Sequence, residues 1–177
     1  MDLLEVARTV CPDAREATVD DALAGRRALV RAAPASTEQV AELLAATAPL
    51  GAAVGVRGGG SQARFGAPPR ALDLLLDTGG LAGILEHDPG DLVVRAQAGV
   101  GLEHLFHHLL PPRQWLALDG PAATLGGLVA TGVSGPRRHR YGGVRDLLIG
   151  ATFVLADGTR ARAGGKVVKN VAGYDLC

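Results

Sequence analysis

Two glycine-rich segments contain the residues of this chain best suited to binding chemistry. Residues 58–62 read Gly-Gly-Gly-Ser-Gln, and residues 119–138 contain five glycines. Glycine lets the backbone approach a ligand closely, and successive exposed N–H groups bind anions. The pattern favours a large anionic cofactor held mainly by main chain. A solvent loop or a helix of tightly packed small residues is the alternative.

The second segment also offers side-chain donors. It has no charged residue between Gly120 and Gly135, but it carries the hydroxyls of Thr124, Thr131 and Ser134. Hydroxyls among exposed N–H groups suit a ligand bearing phosphates. Arg137, Arg138, His139 and Arg140 follow directly as a basic cluster. This cluster is either a solvated loop or an anion clamp, for a cofactor diphosphate or for a partner subunit.

Other nucleotide and metal motifs are poorly matched. The 58–62 segment lacks the Gly-Lys-Ser/Thr ending of a P-loop, and Gly99-Val100-Gly101 has His104 where a dinucleotide fingerprint needs its third glycine. His104 and His108 have zincin spacing, but Leu105 replaces the glutamate of that motif. We therefore assign no metal site, and no catalytic residue is evident.

Composition limits the class of protein. The 177 residues are 47% hydrophobic and 20% charged, with a formal net charge of zero. A neutral chain argues against nucleic acid as the main partner, because phosphate neutralisation needs a basic surface. Sixteen of the eighteen basic side chains are arginine. The two lysines, Lys166 and Lys169, lie close together in the sequence, either by chance or because a compact point charge is needed there.

The cysteines and the hydropathy pattern indicate a cellular setting. Cys11 and Cys177 are far apart, so we expect no disulfide and a reducing, cytoplasmic compartment. The uncharged runs are too short or too broken by Pro and Gly for a transmembrane segment. We expect any membrane association to be made through partners.

The elements that position these residues follow from hydrophobic spacing and turn signals. Helices are predicted over residues 2–10, from a capping box at 36–39 to about 47, and over 99–110. Strands are predicted over residues 28–33, 52–57, 72–76, 83–87, 92–98, 115–118, 147–156 and 159–163. The first third reads as parallel strand–helix–strand structure, and Asp157-Gly158 predicts a two-residue antiparallel hairpin. The fold class is therefore α+β.

The motifs, taken in order, resemble those of the vanillyl-alcohol-oxidase / para-cresol-methylhydroxylase (PCMH) family. They are Arg-Gly-Gly-Gly-Ser-Gln at 57–62, Asp-Pro at 88–89, Leu-Val-Val-Arg-Ala-Gln-Ala-Gly at 92–99 and Pro-Ala-Ala-Thr-Leu-Gly-Gly at 121–127. Ala-Thr-Gly at 130–132, Ser-Gly-Pro-Arg-Arg at 134–138, Val-Arg-Asp at 144–146 and Lys-Asn-Val-Ala-Gly-Tyr-Asp-Leu at 169–176 follow. Within the family the pattern is most similar to the FAD-binding subunits of bacterial glycolate oxidases.

This resemblance implies a PCMH-type FAD-binding domain of two subdomains, a small parallel α/β unit and an antiparallel-sheet unit, over residues 28–177. Residues 1–27 form an N-terminal helical segment. Family members continue further, so the resemblance implies a domain incomplete at its C-terminus, without the substrate domain. The implied cofactor contacts are Gly58, Gly59, Gly60, Ser61 and Gln62 around the diphosphate, and Pro121, Thr124, Gly126, Gly127, Thr131, Gly132 and Ser134 along the diphosphate and flavin.

The resemblance also implies an activity. The chain would be a FAD-binding subunit, or the N-terminal part of one, that oxidises a 2-hydroxy acid such as glycolate, with a partner flavoprotein subunit and an iron–sulfur subunit. Because no histidine lies in the first glycine loop, we expect FAD to be non-covalent. The alternatives are a non-catalytic electron-relay or assembly module and a related enzyme such as a D-lactate dehydrogenase.

Overall fold

A computed structural model describes residues 2–120 and 122–165 of the chain. The first half alternates short strands with two helices. Its elements are α1 (Leu3–Val10), β1 (Arg15–Glu16), β2 (Ala22–Leu23), β3 (Arg26–Arg27), β4 (Val30–Ala32), α2 (Thr37–Thr47), β5 (Val54–Arg57) and β6 (Leu74–Asp77), with 3₁₀ turns at Ala48–Leu50 and Thr78–Gly80.

The second half consists of hairpins and short helices. Its elements are β7 (Ile84–Asp88), β8 (Val93–Ala96), α3 (Leu102–Leu109), α4 (Leu125–Thr131), α5 (Arg138–Tyr141), α6 (Val144–Leu147), β9 (Gly150–Val154) and β10 (Arg160–Gly164). β7 pairs with β8 and β9 with β10, both antiparallel. The mixture of parallel and antiparallel pairing confirms the α+β prediction.

One four-stranded sheet organises the first half, in the order β1-β4-β6-β5. β4 and β5 both run parallel to β6, which confirms the parallel arrangement predicted for this part. β6 lies between them, and Leu74, Leu75 and Leu76 are all buried because this central strand is covered on both faces. β1 pairs antiparallel with β4 and β2 with β3, so residues before 28 contribute three short strands as well as a helix. The domain boundary at residue 28 stays a prediction.

Helix α2 begins where the sequence predicts, with a modified cap. The hydroxyl of Ser36 accepts from the N–H of Gln39 at 3.1 Å, but the Gln39 side chain accepts from the N–H of Ala35 at 2.8 Å. A capping box would return that side chain to the Ser36 N–H. The helix packs Leu43 onto the sheet beside Ala7 of α1, which forms the main core of the first half.

Two predicted elements also differ from the structure. Residues 115–118 form no strand within the described chain, because Trp115 contacts Tyr141 and Arg137 while Leu116 and Leu118 turn into hydrophobic clusters. α3 begins at Leu102 rather than at residue 99.

The hairpin at Asp157-Gly158 has a longer turn than the sequence predicts. Leu155 N–H still bonds to Thr159 O at 2.8 Å, and Gly158 N–H closes a turn onto Leu155 O at 2.9 Å. Gly158 has φ +86°, which fits a three-residue loop whose last residue is left-handed rather than a two-residue turn.

Candidate cofactor-binding site

The first glycine loop, residues 58–62, leaves β5 at its carboxyl end. Ligands of open α/β sheets bind at this edge. Within the described chain, none of the five backbone N–H groups of the loop donates to a protein acceptor. Gly60 has φ +74°, a left-handed conformation that favours glycine. The loop therefore presents a run of free donors, the arrangement that binds anions.

A cluster of charges lies under this loop, at the carboxyl ends of three strands. Arg57 donates to Asp21 Oδ1 and Asp77 Oδ2, both at 3.2 Å, and to Asp20 O at 2.7 Å. Arg31 Nη2 lies 3.0 Å from Asp77 Oδ2 and its Nε 3.6 Å from Asp21 Oδ1. Because Arg57 directly precedes Gly58, these contacts fix the start of the loop.

Asp21 is the most enclosed member of this network. It is 2% exposed, and Arg15 Nη1 reaches its Oδ2 at 2.8 Å. Burial opposes ionisation of Asp21, but hydrogen bonds from the Thr18 N–H and the Arg15 guanidinium outweigh it and hold the pKa of the carboxyl well below its usual range.

Asp77 is ionised for a similar reason. Burial opposes its charge, while hydrogen bonds from the Gly79 N–H, Arg31 and Arg57 lower the pKa of this carboxyl. Three arginines, Arg15, Arg31 and Arg57, thus face two ionised aspartates, leaving one net positive charge at the base of the loop. Sequence reasoning missed this network. The available signal was a charged residue within or at the end of each parallel strand.

The second glycine segment meets the first at its start. A Cβ at Gly58 would contact Thr124 Oγ1, and one at Gly59 would lie 3.0 Å from Ala122 O. The structure thus brings Gly58, Gly59 and Thr124 together, and the small side chains make this approach possible. Pro121 lies outside the described residues.

The N–H groups at the start of α4 are already used within the protein. Gly126 N–H donates to Ala98 O at 2.7 Å, and Gly127 N–H donates to the Thr124 hydroxyl at 3.3 Å. A Cβ at Gly126 would lie 2.7 Å from the Cβ of Ala98. Gly126 therefore allows α4 to pack against Ala98, two residues after the end of β8. The N–H groups of Gly126 and Gly127 are therefore not available to the cofactor. That these two glycines contact the cofactor through their Cα atoms stays a prediction.

The last three predicted contacts lie toward the far end of α4. Thr131 donates its hydroxyl to Gly127 O at 2.7 Å, Gly132 ends the helix, and Ser134 is exposed. None of them is among the residues that line the cavity beside Gly59. The structure does not bring these three residues together with the first loop, and their contacts with the cofactor stay predictions.

A shallow cavity of about 570 Å³ lies beside the first loop. Gly59, Gly101, Ala122, Ala123 and Thr124 line it together with Glu103, His104 and His107 of α3. Sequence reasoning considered the histidines only as metal ligands. Their helical spacing of three residues, which puts both on one face, was the signal for a shared cavity.

His108 belongs to a different site from His104. Its Nε2 lies 3.2 Å from His87 Nδ1, and His87 Nε2 lies 3.0 Å from Gln114 Oε1. In the described part of the chain, no three His, Cys, Asp or Glu side chains are arranged to hold a metal ion. Over the same residues, no helix is both long and apolar enough to cross a bilayer.

Comparison with known proteins identifies the family. The FAD binding domain family matches residues 28–164. Glycolate oxidase subunit GlcE of Escherichia coli K12 is 38% identical over 143 residues, which are 78% of this chain and 39% of that protein. D-lactate dehydrogenase of Archaeoglobus fulgidus is 35% identical over 149 residues, 81% of this chain and 32% of that enzyme.

A solved structure shows the same fold. Glucooligosaccharide oxidase from Acremonium strictum superposes with a TM-score of 0.75 and 24% identity, over 92% of this chain and 37% of the oxidase. The chain thus spans less than two fifths of the length of each of these proteins. The match over 28–164 confirms the resemblance drawn from the motifs: the chain belongs to the FAD binding domain family, of the PCMH type.

Proposed function

We propose that this chain binds FAD non-covalently and that residues 58–62 hold its diphosphate. The observation that carries the proposal is the run of five N–H groups that donate to no acceptor among residues 2–120 and 122–165, above a charge cluster with net charge +1. Both features suit a doubly charged anion. The cavity of about 570 Å³ beside Gly59 adjoins this loop and is the proposed place for part of the remaining ligand.

The proposed activity is oxidation of a 2-hydroxy acid, with glycolate as the first candidate. It is supported by the 38% identity to a glycolate oxidase subunit. Bound FAD would accept two electrons from the carbon that bears the hydroxyl. The chain's own contribution is to hold and orient the cofactor, and the proposed partners are a second flavoprotein subunit and an iron–sulfur subunit. We propose a cytoplasmic location for the assembly.

D-lactate is the second candidate substrate, because a D-lactate dehydrogenase is 35% identical over a similar stretch. Assays with glycolate and with D-lactate, in the presence of the partner subunits, distinguish the two. A higher kcat/KM for glycolate supports the first candidate. Equal or reversed preference contradicts it.

FAD binding is tested by a matched pair of variants. Gly60→Ala and Gly66→Ala both force an alanine into a left-handed conformation, at φ +74° and +91°, with no atom closer than 3.9 Å to the new Cβ. Only Gly60 lies in the loop that presents the free N–H groups. We expect Gly60→Ala to weaken FAD binding by about tenfold, the loss of one to two hydrogen bonds to a charged group, and Gly66→Ala by less than about twofold.

Quenching of FAD fluorescence on titration with the protein measures both dissociation constants. Equal effects of the two substitutions would show that the loop does not hold the diphosphate.

Acid precipitation of the FAD-loaded chain tests whether FAD is covalently attached, since a non-covalent cofactor stays in the supernatant. Flavin in the pellet would contradict that part of the proposal.

A further inference from the structure

A ladder of alternating arginine and aromatic side chains lies on the surface of the second half. The Arg137 guanidinium lies 5.3 Å from the Trp115 ring centroid, the Trp115 ring lies edge-on to Tyr141 at 5.2 Å, and the Arg140 guanidinium lies 5.4 Å from the Tyr141 centroid. We call Arg137, Trp115, Tyr141 and Arg140 the arginine–aromatic ladder. Each step is a favourable cation–π or edge-to-face contact, so the side chains are ordered in advance.

The ladder is open to solvent although it contains large rings. Trp115 is 46% exposed and Tyr141 is 38% exposed. The chain has only six aromatic residues of the Phe, Trp and Tyr types, and two of them are placed here at the surface. Trp, Tyr and Arg are the residue types enriched at the energetic centres of protein interfaces.

The charge of this surface is not balanced. Arg137 is paired with Asp119, at 3.6 Å between Nε and Oδ1. Arg138 and Arg140 are exposed, and neither has an acidic partner within the described part of the chain. In a chain of zero net charge, this local excess favours an acidic ligand.

The unbalanced arginines lie away from the cavity assigned to the cofactor. The residues that line that cavity come from the first glycine loop, from α3 and its preceding residue, and from 122–124. Arg137 lines a second cavity of about 510 Å³, but no residue of α5 lines either one. The sequence left two functions open for the basic cluster at 137–140, a clamp for the cofactor diphosphate and a surface for a partner subunit. This placement favours the partner surface.

We propose that the arginine–aromatic ladder, together with Arg138, is a docking surface for an acidic protein partner. Carboxylates of the partner pair with Arg138 and Arg140, while an apolar side chain of the partner covers Trp115 and Tyr141. Because the ladder is already ordered, little side-chain entropy is lost on docking. No residue of α5 lines the cavity assigned to FAD, so the inference does not depend on FAD binding.

The test uses the full chain and a short fluorescein-labelled peptide rich in Glu and Leu. Trp115 is the only tryptophan of the chain, so its emission reports directly on contact with the ladder. We expect saturable binding by anisotropy, a shift of Trp115 emission, and weakening of binding with added salt. Arg138→Glu combined with Arg140→Glu should weaken binding by about tenfold, the effect of reversing two exposed ion pairs.

The control reverses the same number of charges elsewhere. Arg26→Glu combined with Arg27→Glu alters two exposed neighbouring arginines of β3 that make none of the ladder contacts, and should leave binding within about twofold, because isolated exposed charges contribute little. Equal losses in both double variants would overturn the proposal. So would patch-dependent binding of a single-stranded oligonucleotide without binding of the peptide, or complete displacement of the peptide by FAD.

Discussion

Single residues under the first glycine loop determine how firmly it is held. Asp21 is almost fully buried, and its two oxygens contact Arg15, Arg31 and Arg57. Removing one member of an enclosed charge network leaves its partners unpaired, which costs more than the network contributes when intact. Asp21, which precedes the predicted domain boundary at residue 28, therefore supports the loop that begins at Gly58.

We expect Asp21→Asn to lower the free energy of unfolding by about 2–3 kcal/mol. A buried pair costs about 3–5 kcal/mol to break, but the arginines are partly exposed, which reduces the loss. Asp20→Asn is the matched control, because Asp20 is exposed and only its carbonyl contacts Arg57. Urea unfolding measures both variants. Equal losses at positions 20 and 21 would contradict a network centred on Asp21.

The same carboxylates predict loss of stability in acid. The folded-state pKa values of Asp21 and Asp77 lie below those of the unfolded chain, where aspartate titrates near 3.9. The unfolded chain therefore binds protons first as pH falls, and the stabilisation present above about pH 4 is lost below it. Urea unfolding between about pH 6 and pH 3 measures the slope. Asp21→Asn should flatten the slope, and an unchanged slope would show that other groups cause it.

Among the elements, α4 shows why a correct motif does not fix the role of each residue. The sequence identified Thr124, Gly126 and Gly127 as one group of cofactor contacts. In the structure Thr124 caps the helix, Gly126 packs on Ala98, and the first N–H groups donate to protein acceptors. Periodicity and motif order predict that elements exist, but the acceptor used by each N–H depends on neighbours that are distant in sequence.

The same limit applies to strands. Three apolar runs predicted the parallel strands, because local pattern fixes a strand's period. Tertiary packing decides that β6 is the central strand and that residues 115–118 pair with no strand in the described part of the chain. The charge network escaped prediction for this reason: Arg31, Arg57 and Asp77 stand on three strands and meet only once the sheet order is known.

We expect Gly126→Ala to lower the free energy of unfolding by about 1–3 kcal/mol, the usual cost of overpacking. The new Cβ would lie 2.7 Å from Ala98 Cβ and 2.9 Å from Ala98 O. Gly127→Ala is the matched control in the same helix, since its Cβ would meet only the Thr124 hydroxyl at 3.1 Å, and alanine gains about 1 kcal/mol of helix propensity. Thermal unfolding compares the two. A larger loss at position 127 would contradict the packing role of Gly126.

At the scale of the whole molecule, the two halves contact each other at two places. Gly58 and Gly59 meet Thr124 and Ala122 at the candidate site. The tip of the β9–β10 hairpin lies on α2, where a Cβ at Gly158 would be 2.7 Å from Ala45 Cβ. Arg160 Nη1 also lies 2.6 Å from Glu38 Oε1, although this exposed pair contributes little to stability. A ligand held between the glycine loop and α3 would therefore contact both halves at once.

FAD should accordingly stabilise the two halves together. At about one hundred times its dissociation constant, a ligand adds about 2.7 kcal/mol to the stability of the state it binds. For a chain of this size that raises Tm by about 5–10 °C. Hydrogen exchange with and without FAD locates the effect: we expect slower exchange in the 58–62 loop and also in α3. At the same FAD concentration the tenfold weaker Gly60→Ala should show both changes reduced to about half the stabilisation, about 1.4 kcal/mol. Protection of residues 58–62 without α3 would place the cofactor outside the cavity shared by the two halves, and would leave His104 and His107 without a role in holding it.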